Sequence, residues 1–232
     1  MNKETTAVSL KGIEDALGSR GFTPRGAFHP GAADAVPALS DGRPAATLVL
    51  AGQAGPEMWR RFSSVPLDGR DPLDDWSRRE LGAIARKTGA SALFPSDGPP
   101  YLPFQRWAQR AEAVFVSPIG VLIHPDYGLW HSYRGALAFA ERLDLPALEP
   151  RSNPCETCAA KPCLTSCPVD ALKHEGYDVP ACIAHLERPE GSDCLGLGCR
   201  ARRACPIGRG YTYEPAQAEF HMAAFLRSCR VG

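Results

Sequence analysis

Short apolar runs and amphipathic segments alternate along the first 150 residues and predict both helices and strands. Residues 8–19 carry apolar side chains at helical spacing and predict an amphipathic helix. Its apolar face consists of Leu10, Ile13 and Leu17. The unbroken apolar run 46–51 predicts a buried strand, and 56–62 is long enough for one or two helical turns. Glycine and proline are frequent across 21–44, which predicts a loop region.

The clearest helix signal covers residues 72–87. Asp71 is suited to cap the N-terminus, and Pro72 suits the first helical position, where a backbone N–H has no partner in any case. Gly89 suits the left-handed position that commonly follows a helix. The residues that share the apolar face are Leu73, Trp76, Leu81 and Ile84. We therefore expect a long helix that supports the fold.

Later segments predict further elements. Residues 104–112 predict a helix, and 114–124 predict two short strands broken at Ser117-Pro118. In 136–145 the periodicity does not distinguish a strand from a helix. Residues 214–227 predict a C-terminal helix. The candidates for its buried side are Ala216, Phe220, Ala223, Ala224 and Phe225.

These elements predict an α+β protein in two parts. Residues 1–148 form an α/β domain, and 149–232 form a cysteine-rich domain with the C-terminal helix, after a proline-rich joint at 145–154. The sequence contains 44% hydrophobic residues and no apolar run of ~20 residues, so we expect a globular protein that does not span a membrane.

Charge and the N-terminal sequence narrow the function classes. The 26 basic residues balance the 26 acidic ones, and no basic stripe interleaved with aromatic residues is present, so nucleic-acid binding is not expected. The first ten residues, MNKETTAVSL, contain no apolar core of a signal peptide. We therefore expect a cytoplasmic protein in a reducing compartment, where disulfides are rare.

The cysteines carry the strongest chemical signal. The chain has nine, and eight of them fall between residues 155 and 205 in two groups, each of which ends in Cys-Pro. The first group is Cys155, Cys158, Cys163 and Cys167, and the second is Cys182, Cys194, Cys199 and Cys205. Bacterial two-cluster ferredoxins use a cysteine run of this type, and its fourth cysteine binds the other cluster. The spacing here is looser than in the compact ferredoxin run.

The crossover in that pattern assigns the ligands. One 4Fe–4S cluster is expected to take its four thiolates from Cys155, Cys158, Cys163 and Cys205, which we call the first quartet. The other is expected to take its thiolates from Cys167, Cys182, Cys194 and Cys199, the second quartet. Cys229 is left over and is expected to be a small buried side chain. Two four-cysteine zinc sites are the main alternative, because they also use eight thiolates. Zinc gives no reason for the two Cys-Pro endings.

Basic residues accompany these cysteines. Arg200, Arg202 and Arg203 lie between two predicted ligands, and Lys161 lies within the first group. Two interpretations remain open at this stage: these residues offset the negative charge of the clusters, or they form a solvated basic loop.

The cysteine-rich segment 155–206 resembles the two-cluster module of epoxyqueuosine reductases and reductive dehalogenases. In those families the clusters pass electrons to a cobalamin held in a preceding nitroreductase-like α/β domain. The resemblance implies a nitroreductase-like α/β sandwich followed by a ferredoxin-like module with two 4Fe–4S clusters. No segment after Pro206 resembles the helical-repeat tail by which epoxyqueuosine reductases grip tRNA, so we do not expect queuosine chemistry.

A second resemblance covers about 17 residues, from Ile119 to Gly135. Its His-Pro, Tyr-Gly-Leu-Trp and Arg-Gly series is similar to that of cobalamin-processing proteins of the cblC class, which remove the upper ligand of cobalamin. Cobalamin contacts are implied at His124, Tyr127, Trp130 and Arg134. Two of them have structural alternatives: His124 as the end of a strand and Trp130 as a core residue.

The leading hypothesis is an iron–sulfur oxidoreductase that passes electrons from two 4Fe–4S clusters to a bound corrinoid, for cobalamin reduction or upper-ligand removal. A low-potential donor such as a flavodoxin, ferredoxin or reductase is the expected partner. The alternatives are a ferredoxin-like electron carrier without its own corrinoid and a protein that binds FMN in its α/β domain. The sequence assigns no catalytic residue.

Overall fold

The structure, a computed structural model, describes residues 8–66, 68–173 and 176–229. Residues 1–7, on which the expectation about a signal peptide partly rests, lie outside the described residues. The helices are α1 Leu10–Ser19, α2 Glu57–Phe62, α3 Pro72–Thr88, α4 Phe104–Ala111, α5 Pro162–Thr165, α6 Val179–Leu186, α7 Ser192–Leu197, α8 Arg200–Ala204 and α9 Pro215–Cys229. The strands are β1 Thr23–Phe28, β2 Thr47–Ala54, β3 Ser91–Leu93, β4 Phe115–Val116, β5 Leu122–Ile123, β6 His131–Phe139, β7 Leu172–Lys173 and β8 Gly176–Tyr177.

The α+β class is confirmed, and the helices with clear boundary signals lie where the sequence predicts them. The four predicted at 8–19, 72–87, 104–112 and 214–227 correspond to α1, α3, α4 and α9 within two residues at either end. Helix α3 starts at Pro72 and is followed by Gly89 in the left-handed conformation. Its predicted apolar face is buried. The break at Ser117-Pro118 is also confirmed, because β4 and β5 pair antiparallel on either side of it.

A four-stranded sheet has the order β1-β2-β6-β3, with β1 antiparallel to β2 and β3 antiparallel to β6. The prediction of a loop over 21–44 is wrong at Thr23–Phe28, which forms β1 despite Pro24. A proline is tolerated there because β1 is an edge strand, and its register is interrupted between Pro24 and Ala27. The undecided segment 136–145 begins within β6, which lies between β2 and β3.

The chain divides into two compact units. The first comprises Met1–Gln53, Arg60–Ala113 and Ser132–Glu149. The second comprises Ala54–Trp59, Val114–His131 and Pro150–Gly232. The segment with the His-Pro and Tyr-Gly-Leu-Trp series therefore belongs to the same unit as the cysteine-rich region, although it precedes residue 148 in the sequence.

The first unit contains a buried charged network. Arg25 has no exposed surface and lies 2.6 Å from Glu112 through its Nη2 atom. The same guanidinium donates to the carbonyl of Gln53 at 3.2 Å and to the hydroxyl of Tyr133 at 3.3 Å. Tyr133 in turn donates to Glu112. Burial is tolerated because the charge is paired and its donors are used.

The second unit is built mainly from short helices. Helix α9 packs against α7, and α5 packs against α8. In α9 the fully buried side chains are Gln217 and Ala218, whereas Ala216 is exposed, which corrects the prediction for Ala216. Phe220 packs on Trp59 with ring centroids 5.2 Å apart. No helix among the described residues combines the length and apolar character needed to cross a membrane.

Candidate metal centres

The first quartet surrounds one cavity. The cavity encloses about 310 Å³ of empty space, counting the part open to solvent. It is lined by Cys155, Cys158, Cys163 and Cys205 together with Pro118, Ile123, Pro154, Lys161, Pro162, Pro206 and Ile207. Pro162 begins the short helix α5, which carries Cys163. The amide of Cys155 donates to the side chain of Asn153 at 3.0 Å, which fixes the turn before the first cysteine.

The second quartet surrounds another cavity, also of about 310 Å³ on the same measure. It is lined by Cys167, Cys182, Cys194 and Cys199 together with Pro168, Val169, His185, Leu186, Arg200, Ala201 and Met222. Helices α6 and α7 carry Cys182 and Cys194, and Cys199 caps the N-terminus of α8. Cys205 directly follows α8, so this five-residue helix connects the two cavities.

The cavity walls offer thiols and apolar groups. Neither set of lining residues, within the described part of the chain, includes an aspartate or a glutamate. Thiolates select zinc, copper(I) and iron–sulfur clusters over hard cations. In the same described ranges, no three His, Cys, Asp or Glu side chains are placed closely enough to hold one metal ion. Four cysteines distributed around a larger cavity fit a multi-atom cluster, in which each iron takes one terminal thiolate.

Burial affects the protonation of these cysteines. It is the main reason that the pKa values are raised for five thiols, and neighbouring cysteines add to the effect. They are Cys155, Cys163, Cys182, Cys194 and Cys205. Thiols of this kind become thiolates when a metal binds and displaces their protons.

Hydrogen-bond donors are directed at the second quartet. The amide of Ala171 donates to the Cys167 sulfur at 3.3 Å. The phenol of Tyr177 donates to Cys182 and partly opposes the rise in the pKa of that thiol that burial causes. Donors to sulfur stabilise the charged form of the ligand and tune the metal that it binds.

The basic residues near the cysteines have different surroundings. Arg200 lines the second cavity and forms two 2.8 Å hydrogen bonds with Asp193. Arg203 donates to the same carboxylate at 2.6 Å. The hydrogen bond from Arg200 is the largest cause that lowers the pKa of Asp193 to about 2. Lys161 lines the first cavity.

Arg202 lines neither cavity as the structure describes them. Its guanidinium donates twice to the carbonyl of Leu129, at 2.6 and 2.8 Å. Its carbon Cζ lies 4.7 Å from the ring centroid of Trp130 and 4.4 Å from that of Tyr213. Arg202 therefore attaches α8 to the segment before β6.

His124 and Tyr127 occupy one tight turn. The Nδ1 atom of His124 accepts hydrogen bonds from the amides of Asp126 and Tyr127, at 3.0 and 3.2 Å. The rings of His124 and Tyr127 stack with centroids 4.1 Å apart. Both side chains are partly exposed, so one face of this turn is accessible.

Trp130 and Arg134 have more enclosed surroundings. Trp130 is 2% exposed and packs on Tyr213 and Ala218 in addition to Arg202. Arg134 belongs to the other compact unit, where its Nη1 atom lies 3.3 Å from Asp74 and its Nε atom donates to the carbonyl of Tyr133. The structure thus brings His124 and Tyr127 together, whereas Trp130 is a core residue and Arg134 has an acidic partner.

His185 lines the second cavity and was not singled out by the sequence analysis. It is 8% exposed, and its Nε2 atom is buried without a hydrogen-bond partner among the described residues. The signal in the sequence is the spacing Cys182-x2-His185, which places both side chains on one face of a helix.

The comparisons with known proteins show a similarity in fold. No protein-family model matches the chain, and no curated protein matches it significantly. Among solved structures, it is similar to epoxyqueuosine reductase from Bacillus subtilis at 15% identity and a TM-score of 0.51, over 90% of this chain and 68% of that chain. Epoxyqueuosine reductase from Streptococcus thermophilus aligns at 15% identity and a TM-score of 0.49, over 89% of this chain and 68% of that chain. The first of these comparisons shows that the fold of this chain is similar to that of epoxyqueuosine reductase.

Proposed function

We propose that this protein is an iron–sulfur oxidoreductase that holds two 4Fe–4S clusters and passes their electrons to a bound corrinoid. The observation that carries the proposal is the pair of cavities, each surrounded by four cysteines that are interleaved along the chain. In this proposal the first quartet holds one cluster and the second quartet holds the other. Such clusters supply one-electron transfer at potentials set by hydrogen bonds, charge and solvent exposure.

The protein's own residues prepare the cavities for this role. The walls of the first cavity are largely proline and isoleucine, which limit water around the thiolates. The second cavity combines apolar residues with Arg200, whose charge favours thiolate ligands. Both environments therefore suit an anionic group that is held by sulfur.

The corrinoid acceptor is supported by two lines of argument. The fold is similar to that of epoxyqueuosine reductase, and the segment 119–135 resembles cobalamin-processing proteins. We assign the contact to the exposed face of the His124–Tyr127 turn, where the two stacked rings are partly exposed. Trp130 supports this turn from the core. A contact at Arg134 remains a prediction, since this residue already has Asp74 as a partner.

The proposal is tested first by metal content. After anaerobic reconstitution we expect about eight iron and eight acid-labile sulfide ions per chain, because each 4Fe–4S cluster contributes four of each. Reduction should bleach the cluster absorbance and produce electron paramagnetic resonance signals. Stoichiometric zinc without sulfide would overturn the cluster assignment.

The acceptor is tested by titrating the reconstituted protein with hydroxocobalamin and methylcobalamin under anaerobic conditions. We expect saturable one-to-one binding, followed by cobalt reduction when the clusters are reduced. Tyr127→Leu and Arg134→Ala should weaken binding at least tenfold, whereas Arg188→Ala, at an exposed position, is the control. No binding at tens of micromolar would replace the corrinoid proposal with that of a ferredoxin-like carrier. Unchanged affinity in either test variant would remove that residue from the site.

A further inference from the structure

We infer that His185 is a hydrogen-bond donor to the cluster in the second cavity and raises its reduction potential. This inference rests on the proposed function, since it requires a cluster between the second-quartet cysteines. It adds a tuning residue that the sequence pattern of the ligands does not contain.

The position of His185 is the first argument. Cys182 and His185 lie three residues apart in helix α6, so their side chains leave the same face of the helix. Both line the second cavity. The imidazole therefore lies beside a cavity wall formed by a predicted ligand.

The unsatisfied nitrogen is the second argument. His185 is more than nine-tenths buried, and its Nε2 atom reaches no partner in the part of the chain that the structure describes. Leaving a buried polar atom without a partner costs free energy, so native proteins rarely do so. A group that occupies the cavity would supply the missing partner.

The chemistry of that group determines the direction of the hydrogen bond. Cluster sulfides and cysteine thiolates accept hydrogen bonds and carry no protons to donate. His185 must therefore hold its proton on Nε2 and act as the donor. A donor to cluster sulfur stabilises the reduced, more negative state and so raises the potential.

The backbone around His185 holds the ring in place. Asp178 caps the start of α6 by accepting from the amide of Ala181 at 2.9 Å. At the other end of the helix, the carbonyl of His185 accepts from the amide of Arg188 at 3.1 Å. A Cβ at Gly191 would lie 2.1 Å from the same carbonyl oxygen, so only glycine permits this close packing. The ring is therefore presented from a fixed helical turn.

The two cavities differ in whether a histidine lines them. No histidine is among the residues described as lining the first cavity, where the basic residue is Lys161. The cluster in the first cavity thus serves as an internal reference when His185 is changed.

The test is a redox titration of the reconstituted protein, followed by electron paramagnetic resonance. His185→Phe removes the N–H and keeps a ring of similar size, so it should lower the potential of the second cluster and leave that of the first unchanged. His185→Gln keeps an N–H donor, so the potential of the second cluster in this variant should stay close to that of the wild type. Met222→Leu changes the same wall without removing an N–H and should leave both potentials near those of the wild type. Equal potentials in wild type and His185→Phe, at full iron content, would overturn the inference.

A second measurement uses the wild-type protein alone, so that it does not depend on the folding of a variant. Electron–nuclear double resonance on protein labelled with ¹⁵N-histidine should detect a weak nitrogen coupling and an exchangeable proton at the second cluster. Absence of both would overturn the inference, as would the strong coupling of a nitrogen bound directly to iron. Iron and sulfide analysis separates these results from failure of the proposed function, because a wild-type protein that loads no second cluster overturns both.

Discussion

The backbone of Gly128 lies so close to that of Ile207 that a Cβ at Gly128 would be 2.0 Å from the Ile207 carbonyl oxygen. Gly128 belongs to the tight turn of His124 and Tyr127, and Ile207 follows the last cysteine of the first quartet by two residues. The approach is reciprocal, because a Cβ at Gly208 would lie 2.2 Å from the Tyr127 carbonyl. The turn can lie this close to the segment that follows Cys205 because neither glycine has a side chain.

We expect Gly128→Ala to destabilise the protein by more than the ~1–2 kcal/mol that a left-handed backbone costs an alanine. Gly128 has a φ of +58°, and the alanine must also displace the Ile207 backbone. Gly120→Ala is the matched control, since Gly120 has a φ of +80° but a Cβ there would meet no described atom within 4 Å. The measurement is the thermal midpoint of the reconstituted proteins. Equal decreases of the thermal midpoint in the two variants would show that the close approach of the two backbones does not contribute to the effect of Gly128→Ala.

Arg202→Lys should destabilise the protein although it conserves the charge. Lysine cannot make the paired hydrogen bonds to Leu129 with the same planar geometry or stack between Trp130 and Tyr213. The lost hydrogen bonds and cation–π contacts amount to about 1–3 kcal/mol. Urea unfolding measures this cost, and Arg188→Lys at an exposed position is the control. A loss as small as that of the control would show that Arg202 does not fasten α8.

The ligand crossover predicts which cysteine variants share a phenotype. Cys163→Ser and Cys205→Ser should both impair the first cluster, although these positions are far apart in the sequence, because they line one cavity. Cys167→Ser should instead match Cys194→Ser, because these two line the other cavity. Electron paramagnetic resonance of the remaining cluster distinguishes the two classes. Cys229→Ser should retain both clusters. If Cys167→Ser had the spectrum of Cys163→Ser, the assignment by crossover would be wrong.

The network of Arg25, Glu112 and Tyr133 predicts a pH dependence of stability. Burial is the largest cause that raises the pKa of Tyr133 above its ordinary value of 10.0, and Glu112 adds to the rise. A raised pKa in the folded state means that the stabilisation is fully present below pH 10 and is lost as the pH rises further, because only the unfolded state releases the proton readily. Tyr133→Phe should lower the free energy of unfolding by about 1–2 kcal/mol at pH 8. The difference in unfolding free energy between the variant and the wild type should become smaller above pH 10.

Urea midpoints at several pH values between 8 and 11 measure this gap. Tyr101→Phe, which removes an exposed hydroxyl from the same compact unit, is the control. A gap of constant size across this range would show that the Tyr133 proton is not held by the network.

The sequence predicted the elements whose boundaries are encoded locally. Helix α3 was predicted well because Pro72 and Gly89 mark its ends independently of any tertiary contact. The β4–β5 pair was predicted because Ser117-Pro118 interrupts an apolar run. These signals act within a few residues, so no knowledge of the fold was needed.

Strands β1 and β6 could not be predicted without knowing their positions in the sheet. Strand β6 lies between two others, and its residues 135–139 are all buried, so it lacks the alternation that identifies a strand with one solvent face. Strand β1 contains Pro24 and Gly26, which suggested a loop. Only its position at the sheet edge makes that composition acceptable.

The candidate site also combines features that the sequence predicts with features that depend on tertiary contacts. Each cavity is lined by the four cysteines that the crossover pattern groups together, whereas their binding of clusters stays a prediction. The burial of Trp130 under Arg202 and Tyr213 depends on contacts more than 70 positions apart in the sequence, which spacing does not reveal. The role inferred for His185 depended on its unpartnered Nε2 atom, which only coordinates can show.

The nesting of the quartets has a consequence for the order of assembly. Cys163 and Cys205 are 42 positions apart, and the whole second quartet lies between them. If the second quartet holds a cluster as proposed, that cluster would join Cys167 to Cys199 and shorten the effective chain between Cys163 and Cys205 to about 10 residues. The entropic cost of closing the first site would then fall by about 1 kcal/mol. Each cluster would thereby favour incorporation of the other. A coupling of this size changes an equilibrium constant about fivefold. Filling one site should therefore favour filling of the other to a modest degree, while a variant that lacks a ligand at one site can still hold the remaining cluster.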